Sequence, residues 1–194
     1  MDAADTDILT RHPVRRHRLT VQDYHRLGEA GVLGEDDRVE LLEGQLVDMS
    51  PIGPRHSHVI DLLTRILVRA VGDRGWVRVQ NPIVLDSGSE PQPDIVVARP
   101  SASGYRDAHP RPDDVLLLIE VADSSFEFDR SVKRELYARA GIREFWIADL
   151  TANRVLVHRA PGGGVYGATE AVGASGSLQV EALPGITISA ASIL

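Results

Sequence analysis

The sequence predicts an α/β fold, a mixed β-sheet flanked by helices, and three observations carry that reading. Val59, Leu62, Leu63, Ile66, Leu67 and Ala70 recur at i, i+3, i+4, i+7, i+8 and i+11, the spacing of one face of an amphipathic helix. Val115 to Val121 is a strand-like run, apolar except for Glu120. The order of elements is helix, strands, helix, strand, which suits a sheet covered by helices.

The bulk numbers bound the class. At 194 residues the chain can bury the core of one domain without staples. Its 43% hydrophobic and 25% charged residues are those of an ordinary globular protein, and no apolar run is long enough to span a bilayer. The absence of cysteine excludes disulfides, thiolate zinc and iron–sulfur clusters and fits a reducing cytoplasm. Met1-Asp-Ala-Ala-Asp5 has no apolar core, so no secretory signal is read there. A net charge of −7 argues against indiscriminate nucleic-acid binding, which needs clustered Lys and Arg, but leaves room for a local basic surface.

Taken in order, residues 1 to 18 carry Arg11, Arg15, Arg16 and Arg18 with little apolar content and are expected to be a flexible leader to a single domain over 19 to 194. Thr20 and Asp23 form a capping box for a short helix that presents Tyr24 and Leu27 before Gly28. Arg38 to Val47 alternates about Glu43-Gly44 and predicts a hairpin. Pro54 suits the first turn of the long amphipathic helix and Gly72 its end. Trp76 to Gln80 and Ile83 to Leu85 are expected as strand pieces, and residues 99 to 114, rich in Pro, Ser, Asp and His, as a loop near the site. Asp129 is expected to cap a helix buried through Val132, Leu136 and Ala140 and ended by Gly141. Strands over Arg143 to Asp149 and Arg154 to His158 follow, then edge strands toward the C-terminus.

The chemistry gathers between Pro93 and Lys133. An ionised carboxylate inside an apolar strand is costly unless compensated, which singles out Glu120. Asp94 opens a second β-branched run behind Pro93, so two strands can bring carboxylates together, with Lys133 on the next element. Two carboxylates and a lysine suit an oxygen-preferring divalent cation such as Mg²⁺ and a phosphodiester. Each residue also has a plainer role open to it. Asp94 could serve a turn, Glu120 could reach solvent at a strand end, and Lys133 stands four residues after Asp129, a helical ion-pair spacing.

Pro93-Asp94, Glu120-Val121 with Ser124, Asp129, Lys133 and Tyr137, and Gly141-Ile-Arg-Glu-Phe-Trp-Ile-Ala-Asp149 together resemble the Uma-two family of bacterial proteins, which have the PD-(D/E)XK restriction-endonuclease-like fold. Arg38 to Val47 and His58 match its earlier blocks, and the likeness covers roughly residues 20 to 190. The resemblance implies a Mg²⁺- or Mn²⁺-dependent endonuclease acting on DNA, with Asp94 and Glu120 as metal ligands and Lys133 as the catalytic lysine. Glu40 either completes the metal shell or is an exposed hairpin residue. The nuclease pattern places its lysine two positions after the second acid, where this chain has Ala122. Lys133 can replace it only if its helix packs across the strand ends. A catalytically inactive nuclease-fold binding or assembly module is the alternative reading, and RNA is not separable from DNA as substrate. His58, beside the apolar stripe, reads as a packed residue and stays outside the ligand set; Tyr137 and Trp146 read as core. Cutting both strands of a duplex is simplest for a homodimer, which is the expected assembly.

Overall fold

The computed structural model describes residues 14–34 and 36–194. Of the expected leader, residues 1–13 lie outside those described. Arg18 departs from the leader reading: its guanidinium donates to the Glu43 carbonyl and pairs with the Glu43 carboxylate at 3.7 Å.

Local chemistry sets the first elements. In α1 (Val21–Glu29), Thr20 Oγ1 accepts the Asp23 N–H at 3.1 Å while Asp23 Oδ2 accepts the Thr20 N–H at 3.0 Å, the reciprocal cap read in the sequence. Strands β1 (Val39–Leu42) and β2 (Gln45–Asp48) pair antiparallel around Glu43 and Gly44, at φ 49° and 75°. Glycine is required at 44 for a second reason, since a Cβ there would lie 2.5 Å from the Cβ of Arg18. Helix α2 runs Pro54–Val71, with Gly72 at φ 53° ending it. Val59, Ile60, Leu63, Leu67 and Val71 form its buried stripe, and Leu62, Ile66 and Ala70 flank it half-buried.

The main sheet has six strands: β3 (Trp76–Val79), β4 (Ile95–Ala98), β5 (Val115–Ala122), β6 (Glu144–Asp149), β7 (Arg154–Gly162) and β8 (Val165–Gly173), adjacent in that order. All neighbours are antiparallel except β5 and β6, which are parallel and joined by a helical crossover. A separate ribbon pairs β9 (Ser177–Gln179) with β10 (Thr187–Ser189). Alternation along β5 divides the core. Leu117, Ile119 and Val121 pack with the α2 stripe, and Leu118 and Ala122 pack with Leu136, Tyr137 and Phe145 on the crossover side. Glu120 shares the parity of Leu118 and Ala122, so its side chain meets the crossover.

Four expectations need correction. Ile83 to Leu85 forms no strand; its backbone is bonded to Pro91, Pro110 and Ser89, and Ile83 is fully buried. Burial without a ladder fits a segment between Pro82 and Pro91, because proline supplies no ladder N–H. The 99–114 loop joins β4 to β5 at the end of the sheet away from Asp94 and Glu120, so it is not near the site. The crossover is helical from Phe126, before Asp129: α3 (Phe126–Phe128) passes through a π-helical turn (Asp129–Lys133) into α4 (Arg134–Ala140), with Gly141 at φ 82° as its end. Val132 is consequently exposed, while Asp129 and Lys133 are buried. No described helix is long and apolar enough to cross a membrane.

Candidate active site

The antiparallel register of β4 and β5 sets Ile95 opposite Ile119, which places Asp94 against Glu120 and Val121. The two acids are locked to one another's strand. Asp94 Oδ2 accepts the Val121 N–H at 2.8 Å, and Glu120 Oε2 accepts the Asp94 N–H at 3.3 Å. Both line a cleft of about 570 Å³ whose walls also include Glu40, His56, Asp129 and Lys133.

Lys133 reaches this point from the crossover. The π-helical turn carries an i→i−5 bond from the Arg134 N–H to the Asp129 carbonyl, which widens the turn and breaks the α-helical stacking of residues four apart. Asp129 and Lys133 therefore do not form the ion pair their spacing suggests. Asp129 instead accepts from Ser125 Oγ at 2.6 Å, and Lys133 Nζ donates to Glu120 Oε1 at 3.0 Å with Glu40 Oε1 at 3.3 Å. Glu40 is 3% exposed rather than an open hairpin residue, and its other oxygen accepts the Gln92 N–H at 3.1 Å. Ala122 lies on the face of Glu120 within the apolar cluster, so the amine comes from the helix and not from the strand.

Two further side chains join the acids, Tyr137 and, unmarked in the sequence, His56. Tyr137, read as core, is fully buried against the ring of Phe145, and its hydroxyl donates to Glu120 Oε1 at 2.7 Å. His56, on the first turn of α2, places Nε2 3.0 Å from Asp94 Oδ2. It stands three, four and seven residues before Val59, Ile60 and Leu63, so the helical period already put it on the buried face. His58 is exposed and does not line the cleft. Trp146 is core as expected.

Among the described residues the hydrogen bonds divide each carboxylate into a tied and a spare oxygen. On Asp94, Oδ2 holds Val121 and His56, while Oδ1 has only Gln80 Nε2 at 3.4 Å. On Glu120, Oε1 holds Lys133 and Tyr137, while Oε2 has only the long bond from the Asp94 amide. The charges are unbalanced in the same sense. Burial pushes the Glu120 carboxyl up, against the pull of Lys133 and with help from Asp94. Burial likewise raises Asp129, to about 6, although Lys133 and Ser125 oppose it. Burial disfavours the Lys133 ammonium, but Glu120, Glu40 and Asp129 more than restore it, so the amine holds its proton above the usual lysine range. The hydrogen bond to Asp94 raises His56 above an ordinary histidine against the effect of burial. Several acids thus compete for one buried ammonium, a deficit of positive charge at the cleft floor.

Among the described residues no three His or carboxylate side chains converge to hold a metal ion. The donors present nonetheless fit one class of cation. Mg²⁺ keeps several waters and takes one or two carboxylates plus substrate phosphate rather than an all-protein cage, and two spare carboxylate oxygens are the hard donors it needs.

A family model described as "Uma2: Putative restriction endonuclease" matches residues 21–191. A solved structure described as "a putative nuclease belonging to DUF820 from Anabaena variabilis ATCC 29413" is similar to the chain with a TM-score of 0.68 at 14% identity, covering 90% of this chain and 97% of that one. At that identity the likeness bears on the fold alone. No curated protein matches the chain.

Proposed function

Because the chain belongs to the Uma2 family, a nuclease-like family, we propose that it is a divalent-metal-dependent endonuclease that hydrolyses phosphodiester bonds in DNA. The observation that supports this most strongly is the pair of facing carboxylates, each with one oxygen tied down and one left over, beside a buried ammonium in a cleft.

Asp94 and Glu120 would hold Mg²⁺ or Mn²⁺, which would supply polarisation of the scissile phosphate and a lowered pKa for the attacking water. The remaining roles belong to the chain. Lys133, protonated and fixed between Glu120 and Glu40, offers a preorganised positive charge to the phosphoryl oxygens as they gain charge. Glu40 is assigned here to anchoring the lysine rather than to the cation, since its two oxygens face Lys133 and the Gln92 amide. Tyr137 holds Glu120 Oε1 in place so that Lys133 can share that oxygen without turning the carboxylate. Cleavage of both strands is assigned to a two-fold homodimer acting in the cytoplasm.

Ala122 in place of the pattern's lysine, with Lys133 already engaged by two acids, favours a second reading, a catalytically inactive nuclease-fold binding or assembly module. Supercoiled plasmid separates the two. The purified protein should nick it in Mn²⁺ or Mg²⁺ and not in EDTA, and Asp94→Asn should remove the activity while leaving the fold intact. Binding without cleavage of plasmid or of RNA in any divalent metal would decide for the module.

A further inference from the structure

His56 is an unusual residue for its place. The buried stripe of α2 calls for an apolar side chain there, and a polar ring at a site only 15% exposed costs free energy unless its hydrogen bonds repay it. Among the described residues its Nδ1 is buried with no partner, and the ring's one hydrogen bond is the 3.0 Å contact from Nε2 to Asp94 Oδ2. The first turn of the helix is itself set by Gly53 and Pro54.

The His56 bond does a good deal for Asp94. A carboxylate on a short side chain can rotate, exchanging its two oxygens, and the Val121 amide alone would be satisfied by either. With Nε2 as a second donor on the same oxygen, Oδ2 is pinned between β5 and α2, leaving Oδ1 with only the 3.4 Å contact from Gln80. The two donors come from opposite sides: the amide from the sheet, the imidazole from the helix covering the sheet's other face.

We infer that His56 is a positioning residue that fixes which oxygen of Asp94 faces the cleft, and so preorganises the carboxylate toward a divalent cation. The inference rests on the metal-dependent reading above and concerns the free chain as much as the loaded one. Removing a hydrogen-bond partner of a metal-binding carboxylate typically costs about 10- to 100-fold in metal affinity.

The test is Mn²⁺ binding by titration calorimetry on the whole chain, with thermal melts of each variant. His56→Leu, which continues the apolar stripe, should keep the melting temperature and weaken Mn²⁺ binding about 10- to 100-fold. His56→Gln, which returns an N–H donor at similar reach, should recover most of that loss. In an Asp94→Asn background His56→Leu should change the remaining affinity less than twofold, because the bond it removes is to a group no longer charged. Equal Mn²⁺ affinity in wild type and in both His56 variants, with Asp94→Asn weakened, would overturn the positioning role and leave the metal site standing. No Mn²⁺ binding by wild type, or none lost in Asp94→Asn, would overturn both. Should His56→Leu fail to fold, the Gln variant against His56→Ala gives the same comparison.

Discussion

Glu120 near the end of β5 and Glu144 at the start of β6 are both buried glutamates on adjacent parallel strands, at opposite ends of the sheet. Glu144 is saturated. Its Oε1 accepts the Trp146 indole N–H at 2.9 Å and Arg159 Nε at 3.0 Å, and its Oε2 accepts the Glu181 amide at 2.8 Å. Glu120 has an ammonium and a phenol on one oxygen, a long amide contact on the other, and a cleft in front of it. Burial of an acid is therefore not what marks a site in this fold. The mark is a carboxylate whose lone pairs are left partly unused where solvent or substrate can arrive.

Replacing each glutamate by glutamine should break that comparison cleanly. Glu120→Gln should lower plasmid cleavage by about 10³-fold, on the order of 4 kcal/mol of barrier, with a melting temperature within a few degrees of wild type because Lys133 keeps Glu40. Glu144→Gln should leave the specific activity of the folded fraction unchanged and lower stability by about 3 kcal/mol, the cost of leaving Arg159 short of its buried partner. For a chain of this length that is a fall of roughly 6–12 °C. The two are read by single-turnover cleavage and by calorimetric melting. Similar stability losses with similar activity losses would mean the two acids are not different in kind.

Lys133→Met sharpens the contrast from the cation's side. If the amine stabilises the phosphoryl group, cleavage should fall about 100-fold, comparable to losing one preorganised donor, with Mn²⁺ affinity unchanged or slightly higher. The stability cost should exceed the few tenths of a kcal/mol of an exposed helical pair, because Glu40 and Glu120 lose a buried partner. A rate within about threefold of wild type, roughly 0.7 kcal/mol, would show that the helix-borne lysine is structural.

Which of these features could be read in the sequence depends on how local their causes are. The Thr20/Asp23 cap, the α2 stripe and Gly141 are written within a turn or two of the chain. Glu120 stands out because an acid in an apolar strand is conspicuous. Glu144 does not, since its partners Arg159 and Glu181 arrive from distant segments. His56 was hidden in a different way: its position on the buried face follows from the period, but a single histidine carries no motif, and its partner is 38 residues away. The π-helical turn was not legible, because an added residue in the hydrogen-bond register leaves no fixed mark in hydrophobic periodicity. That turn puts Val132 outside, where the periodicity places it inside, and turns Lys133 away from Asp129, the partner its spacing allows. Ile83 is buried, yet burial looks the same in a strand and in a proline-bounded segment outside the sheet.

The smallest expected effect tests the structural side of the comparison through pH. His158 on β7 stands opposite Phe145 on β6, one residue from Glu144, and stacks on the Phe145 ring at 5.6 Å between centroids. Burial, with a smaller contribution from the charge of Arg134, lowers its pKa from 6.5 to about 4. Nδ1 pairs with Thr169 Oγ1 at 2.9 Å, and among the described residues Nε2 is buried without a partner, so a second proton has nowhere favourable to go. The unfolded chain then binds more protons than the folded one between those two pKa values, and stability must fall as pH drops through that window. At pH 5 the loss from this one residue is about 2 kcal/mol, or roughly 4–8 °C in melting temperature. His158→Phe, which keeps an aromatic ring in the stack, should remove that part of the difference between pH 7 and pH 5 while leaving cleavage at pH 7 unchanged. The measurement is melting temperature across pH 4.5 to 7.5 for both proteins. Parallel curves would mean that His158 titrates freely, and that the Glu144 end of the sheet is less tightly closed than the geometry requires.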